Sequence, residues 1–218
     1  MDWEALRLSL LLAVATGLVL IPAGVMVARG LAYADFRGKS LVEAAIAIPL
    51  VLPPTVLGYY LLTAMGGASP LGAFYERMTG SPLAFSFEGL LVGSLIFNLP
   101  FALIPMERAF ESIPVEVRQA AECCGLSWSR TMWRIELPLA WPGIVSALVM
   151  TIAHTVGEFG VVLMVGGNIP GETRTIAISI YDRVQAFDMG AAGAMSAFLL
   201  VFSLLTLALT SRLSRRVW

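Results

Sequence analysis

Apolar runs free of Lys and Arg alternate along this chain with shorter polar stretches, and each run approaches the ~20 residues that a helix needs to cross the hydrocarbon core of a bilayer. Five runs qualify, at approximately residues 8–28, 41–65, 89–106, 138–165 and 189–210. The fourth is the least uniform, because it holds His154 and Glu158. The pattern predicts an all-α integral membrane protein with five transmembrane helices, organised as one membrane domain over residues 1–218.

The polar stretches carry their own pattern. GGASPLGAFYERMTGSPLAFSFEG is rich in Gly, Ser and Pro and predicts a surface loop with a short helix. NIPGETRTIAISIYDRVQAFD opens on a Pro-Gly turn and then spaces Ile176, Ile180 and Val184 as a helix would, so it is expected to lie on or dip into the same face. The longest polar segment with a helical pattern covers residues 112–137. Pro114 suits a first helical turn and Glu116 complements the positive end of the helix dipole. Val117, Ala120, Ala121 and Cys124 then form a narrow face of small side chains, with Arg118 and Glu122 as i, i+4 partners on another side. Gly125 suits a left-handed C-terminal position, Ser127 can cap a second helix and Pro138 opens the next span. The expectation is helix, turn, helix, outside the bilayer. Such a segment could lie on the lipid surface. A lipid-seeking face would carry bulky Leu and Phe, however, whereas Ala-Ala followed by Gly allows close approach to another protein.

Composition supports the membrane reading. Of 218 residues, 58% are hydrophobic and 13% charged, with a mean hydropathy of +0.82. Soluble domains carry about 25% charged residues, so this apolar surplus requires lipid as part of the solvent. A net charge of −1 without a basic stripe gives no footing for a nucleic-acid partner. The two cysteines, Cys123 and Cys124, are neighbours that could close only a strained bridge, and they read as free thiols on a reducing side. The acidic start MDWEALRLSL is no secretory signal, so the first run is expected to remain as a span.

Charge position sets the orientation, because cationic loops resist translocation. With the N-terminus outside and the C-terminus inside, the inner side collects Arg29, Arg37, Lys39, Arg108, Arg118, Arg130, Arg134, Arg212, Arg215 and Arg216. The outer side keeps Arg7, Arg77, Arg174 and Arg183. Residues 112–137 are thereby expected in the cytoplasm.

Polar and helix-breaking residues inside the runs mark candidate chemistry. Pro49, Pro53 and Pro54 interrupt the second run, with the Pro pair about 18 Å along from Leu41 at about 1.5 Å per residue. Broken backbone at that depth needs protein or a water-filled cavity to satisfy it, which makes Pro53, Pro54 and Thr55 candidates for lining a pathway; a packed kink is the alternative. Asn98, Thr151, His154 and Thr155 are further intramembrane polar groups. A lone His there is more often a satisfied interhelical bond than an ion ligand, and nothing near it completes a metal site. Glu158 falls close to the outer interface, where it could pair with Arg174 or Arg183, hold the GEFG bend, or meet a docking protein; a structural or gating role is favoured over substrate contact. A secondary transporter would need midplane carboxylates and an inverted repeat, and an intramembrane enzyme a paired nucleophile and base; neither set is legible. No catalytic residue and no cofactor is expected. The absence of GxxxxGK[ST] excludes a phosphate loop from this chain.

Gln119-Ala-Ala, three residues, Gly125, nine residues, then Ile135-x-Leu137-Pro138 resembles the E-A-A-x3-G-x9-I-x-L-P motif of bacterial ABC importer permeases. Gln119 departs from the motif's first Glu, with Glu116 and Glu122 flanking it. FRGK followed by IPLVLPPTVLGYYLL, and HTVGEFGVVLMVGGNIPGETRTIAISIYDRVQ, are similar to the permeases of molybdate ABC transporters, with sulfate and tungstate permeases as near relatives. His154 stands where many molybdate permeases carry Arg. The resemblance implies a type I ABC importer permease fold in the cytoplasmic membrane and a homodimer of two permeases. It also implies a cytoplasmic ATP-binding subunit below and an extracytoplasmic oxyanion-binding protein above. It assigns Glu116, Gln119, Ala120, Ala121, Glu122, Gly125 and Leu126 to coupling helices that dock on the ATPase.

Overall fold

A computed structural model describes the backbone of residues 1–215 and the side chains of residues 1–208. Arg216 lies outside the described residues, and the side chains of Arg212 and Arg215 do too.

Helix α1, Trp3–Tyr33, begins where the Asp2 carboxylate accepts the Ala5 N–H at 3.0 Å. Burial works against the Asp2 charge, but the Ala5 N–H, the Ser179 hydroxyl and the nearby Arg174 and Arg183 hold its carboxyl below the usual range. The second apolar run is broken at Pro53 and Pro54, where its prolines interrupt it. It forms two helices, α2 Lys39–Val51 and α3 Pro54–Met65, bent by 110° at their junction. A proline forces the preceding residue out of the helical region, and both Leu52 and Pro53 precede one; their ψ angles are 137° and 135°. At 13 and 12 residues, neither half alone reaches across a core of about 30 Å at about 1.5 Å per residue.

The short helix expected in the first polar loop is α4, Pro70–Thr79, capped by the Ser69 hydroxyl on the Gly72 N–H. Helix α5, Phe87–Glu111, is the third run lengthened at both ends. Helices α6, Val115–Cys123, and α7, Trp128–Thr131, form the polar hairpin. A turn of π-helix, Met132–Glu136, then carries α7 into α8, Leu137–Gly157, so residues 128–157 make one rod of 30 residues. The second hairpin helix is therefore the base of a span, not a separate element. The fourth run also stops early: Gly157 ends α8, and α9, Gly160–Gly166, comes after a break at Glu158 and Phe159. Helices α10, Ile176–Gln185, and α11, Met189–Arg215, complete the chain. Among the described residues four helices are long and apolar enough to cross a membrane, or five spans if the bent α2–α3 pair counts as one.

The frame is α1, α5 and α8. Leu20 and Ala28, Ala102, Leu103, Met106 and Phe110, and Ala140, Ile144 and Ala147 make one cluster from these three helices. Gly143 lets α8 lie against α5, because a Cβ there would run into the Pro105 carbonyl and Ala109. The outward faces are apolar too: Leu11, Leu18, Leu204 and Leu205 are all exposed. That is the surface of a protein solvated by hydrocarbon. On α10 the buried residues are Ile176, Ile178 and Ser179, while Val184 is exposed. The expected Ile176–Ile180–Val184 stripe is displaced because the Ile176 N–H donates to Ser9 and Ser179 donates to Asp2, both at 2.8 Å, which turns the start of α10 onto α1.

Candidate functional site

The hairpin end of the bundle holds the candidate residues from Glu116 to Leu126. Glu116 lies in the first turn of α6, as expected, while Pro114 sits one position earlier than expected, as the residue before the helix. Gly125 has φ +71°, and the Leu126 N–H reaches back to the Ala121 carbonyl at 3.1 Å, closing the helix. The small-residue face divides in two. Glu116, Gln119, Ala120 and Cys123, spaced i, i+3, i+4 and i+7, form an exposed stripe. Val117 instead packs on the core cluster, and Ala121 is buried against the bundle. Ala121 thus supports α6 from beneath. Ser127 holds the cap position of α7, but its hydroxyl makes no capping bond.

Arg118 does not pair with Glu122 as its spacing predicts. Its Nε lies 3.4 Å from Glu136, and its guanidinium lies over the Tyr33 ring at 3.6 Å. Glu136, on the π turn, is fully buried, and its carboxylate accepts Arg29 Nε at 2.5 Å and Nη2 at 3.1 Å. Arg29 also lies over Trp128 at 4.6 Å, and the Tyr33 hydroxyl donates to the Phe110 carbonyl. A charged knot therefore joins α1, α5, α6, α7 and the π turn beside a cleft of about 130 Å³. Nothing in the linear pattern gives these residues a joint role. Their only local signal is a charge at the inner margin of an apolar run, in Arg29 and in Glu136.

Deep in the bundle a second polar group connects α1, α5 and α8. Asn98 Nδ2 donates to the Ser94 carbonyl at 2.8 Å and to Thr155 Oγ1 at 3.1 Å, and the Thr16 hydroxyl donates to Ser94 Oγ at 2.9 Å. His154 Nδ1 sits 3.1 Å from Asn98 Oδ1, with the imidazole stacked on Phe97 and close to Phe101. The histidine is a satisfied interhelical partner. Asn98, Thr151 and Thr155 are buried; Asn98 and Thr155 bond to each other between α5 and α8, and the Thr151 hydroxyl has no partner among the described residues. No cluster of His, Cys, Asp and Glu among the described residues could hold a metal.

Glu158 is buried at the break after α8, where its Oε1 accepts the Val161 N–H at 2.8 Å. It caps α9 and holds the GEFG bend. Arg174 turns to Asn168 and Asp182, and Arg183 to Asp188, so neither pairs with Glu158. Pro53, Pro54 and Thr55 lie exposed at the 110° bend, continuous with exposed Val56, Tyr59 and Tyr60. Gly160 lets α9 pack under that bend, since a Cβ there would meet Pro54.

Comparison with known proteins places this geometry. Residues 20–218 match the family model described as binding-protein-dependent transport system inner membrane component. The molybdenum transport system permease protein ModB of Azotobacter vinelandii is 44% identical over 94% of this chain and 91% of its own length. The ModB of Haemophilus influenzae is 36% identical over 100% of this chain and 95% of its own. A sulfate transport system permease protein, CysT of Synechococcus elongatus, is 32% identical over 84% of this chain and 66% of its own. Among solved structures, a bacterial ABC transporter involved in the import of alginate superposes with a TM-score of 0.77 at 18% identity, covering 98% of this chain and 78% of that one.

Proposed function

The chain belongs to the family of binding-protein-dependent transport system inner membrane components, and on that premise we propose that it is the permease subunit of an importer that carries molybdate, with tungstate as a near substitute, across the cytoplasmic membrane. The observation that carries the reading is the hairpin. A short helix, α6, presents Glu116, Gln119, Ala120 and Cys123 outward on one stripe, at the end of a bundle whose chain has no nucleotide-binding loop. Energy then arrives by contact with a separate ATP-binding subunit, whose groove receives that stripe. Glu122, Gly125 and Leu126 shape the end of α6, and Ala121 supports it from behind.

Two copies of the chain form the path, with the N-terminus outside and the C-terminus inside. Pro53, Pro54 and Thr55 line it, because exposed, broken backbone inside an apolar region needs a wet cavity or a second protein beside it. A binding protein on the outer face selects and delivers the oxyanion. No Lys or Arg lies within the five apolar runs, so contact along the path is weak and transient, through hydroxyls, amides and helix termini.

Sulfate is the alternative cargo, supported by the sulfate permease relative. Uptake of molybdate, tungstate and sulfate by cells carrying the complete set of subunits decides between them. Molybdate and tungstate uptake that excess sulfate does not suppress is the expected result; preferential sulfate uptake overturns the cargo assignment.

A further inference from the structure

Helix α6 has nine residues and reaches the bundle through few side chains: Val117 on the core cluster, Ala121 beneath it, and Arg118. Its covalent continuation passes through Cys124–Ser127 into the rod of residues 128–157, so displacement of the hairpin reaches α8 directly. The polar link from α6 to α1 is different. It runs from Arg118 to the Glu136 carboxylate and on to Arg29, with Tyr33 and Trp128 against the two guanidiniums. Glu136 is aimed there by the π turn. The Leu137 N–H bonds the Met132 carbonyl, five residues back, and the extra residue in that turn rotates α7 by about 100° relative to α8. Two guanidiniums share one fully buried carboxylate, and the surplus positive charge rests on aromatic faces.

We propose that Glu136 is the positioning residue that makes α1, α6 and α8 move as one body, so that displacement of the docked hairpin becomes movement of the spans; this rests on the reading that α6 docks an ATPase subunit. While the Glu136 side chain is gripped from both sides, α6 cannot shift without carrying α1. With a neutral side chain of the same shape, Arg29 and Arg118 face each other uncompensated and separate, and the hairpin then moves without α1.

The test uses the assembled importer, with its ATPase and binding protein, reconstituted in liposomes as the native chain, E136Q and E136D. The readouts are oxyanion taken up per ATP hydrolysed and stimulation of hydrolysis by loaded binding protein. E136Q is expected to keep the ATPase subunit through purification, to lower uptake per ATP several-fold and to lose most of that stimulation. E136D keeps the charge but withdraws it by one methylene, and is expected to lower the ratio less. A native ratio in E136Q overturns the proposal, as does a native ratio in E136D if E136Q does not fold. Loss of the ATPase subunit from both variants also overturns it, because Glu136 would then serve docking. If the native chain itself retains no ATPase subunit, the underlying reading fails instead.

Discussion

Asn98 shows how one side chain sets the character of a membrane interior. Its amide donates to the Ser94 carbonyl on α5 and to Thr155 Oγ1 on α8, and its oxygen faces His154 Nδ1, so a polar ring inside hydrocarbon is given a partner. Replacing it by Ala removes the Asn98 partner of the His154 ring nitrogen, while the Thr155 hydroxyl keeps its bond to the Thr151 carbonyl, at a cost of about 1–2 kcal/mol. Thermal unfolding of N98A in detergent is therefore expected to begin at a lower temperature, with uptake retained below the transition. An unchanged melting temperature with lost uptake would return Asn98 to the path. The sequence marks Asn98 as a costly intramembrane polar group. Whether such a group faces a path or a neighbouring helix depends on how α1, α5 and α8 pack, and that arrangement is not written in the local pattern.

At the scale of the element, α6 separates an exposed face from a buried one, and on the proposed reading the exposed face docks. Ala120 is exposed and Ala121 buried, although they are neighbours in one small-residue pattern. A120W is expected to leave the permease folded and monodisperse while removing the ATPase subunit from the purified complex. A121W is expected to destabilise the chain itself, because a large side chain forced into a packed site costs about 1–3 kcal/mol or more. Retention of the ATPase by A120W would move the docking face elsewhere. Helix periods made most elements legible, including α4 and the start and stop of α6. They did not reveal the 110° break, because Leu41 to Met65 is as apolar as a span, and the two prolines fix a bend only in three dimensions. They also predicted an Arg118–Glu122 pair. A surface i, i+4 pair contributes only about 0.3–0.5 kcal/mol, whereas at Glu136 Arg118 joins Arg29 on a fully buried carboxylate and lays its guanidinium over the Tyr33 ring, so Arg118 goes to Glu136. The burial of Glu136 comes from the π turn, for which hydrophobic periodicity gives no signal.

For the whole molecule, the distribution of exposed apolar surface separates lipid contact from protein contact. Leu11, Leu18, Leu204 and Leu205 on α1 and α11 need only acyl chains beside them. The α2–α3 bend is different, because Leu52 and Pro53 interrupt the helical bonding at its corner, and lipid cannot hydrogen-bond the backbone groups that the break leaves open. A second copy or water must cover that corner, and on the proposed importer reading, with the path opening to each side in turn, the cover changes during the transport cycle. The measurement is labelling of a single cysteine introduced by T55C, after Cys123 and Cys124, both exposed, have been replaced by Ser. A membrane-impermeant thiol reagent applied to the assembled importer should react with that cysteine at rates that differ between the nucleotide-free and the ATP-trapped states. Equal protection in both states would leave the bend as a permanently packed corner of the dimer, and the path would then have to run along another face of the bundle.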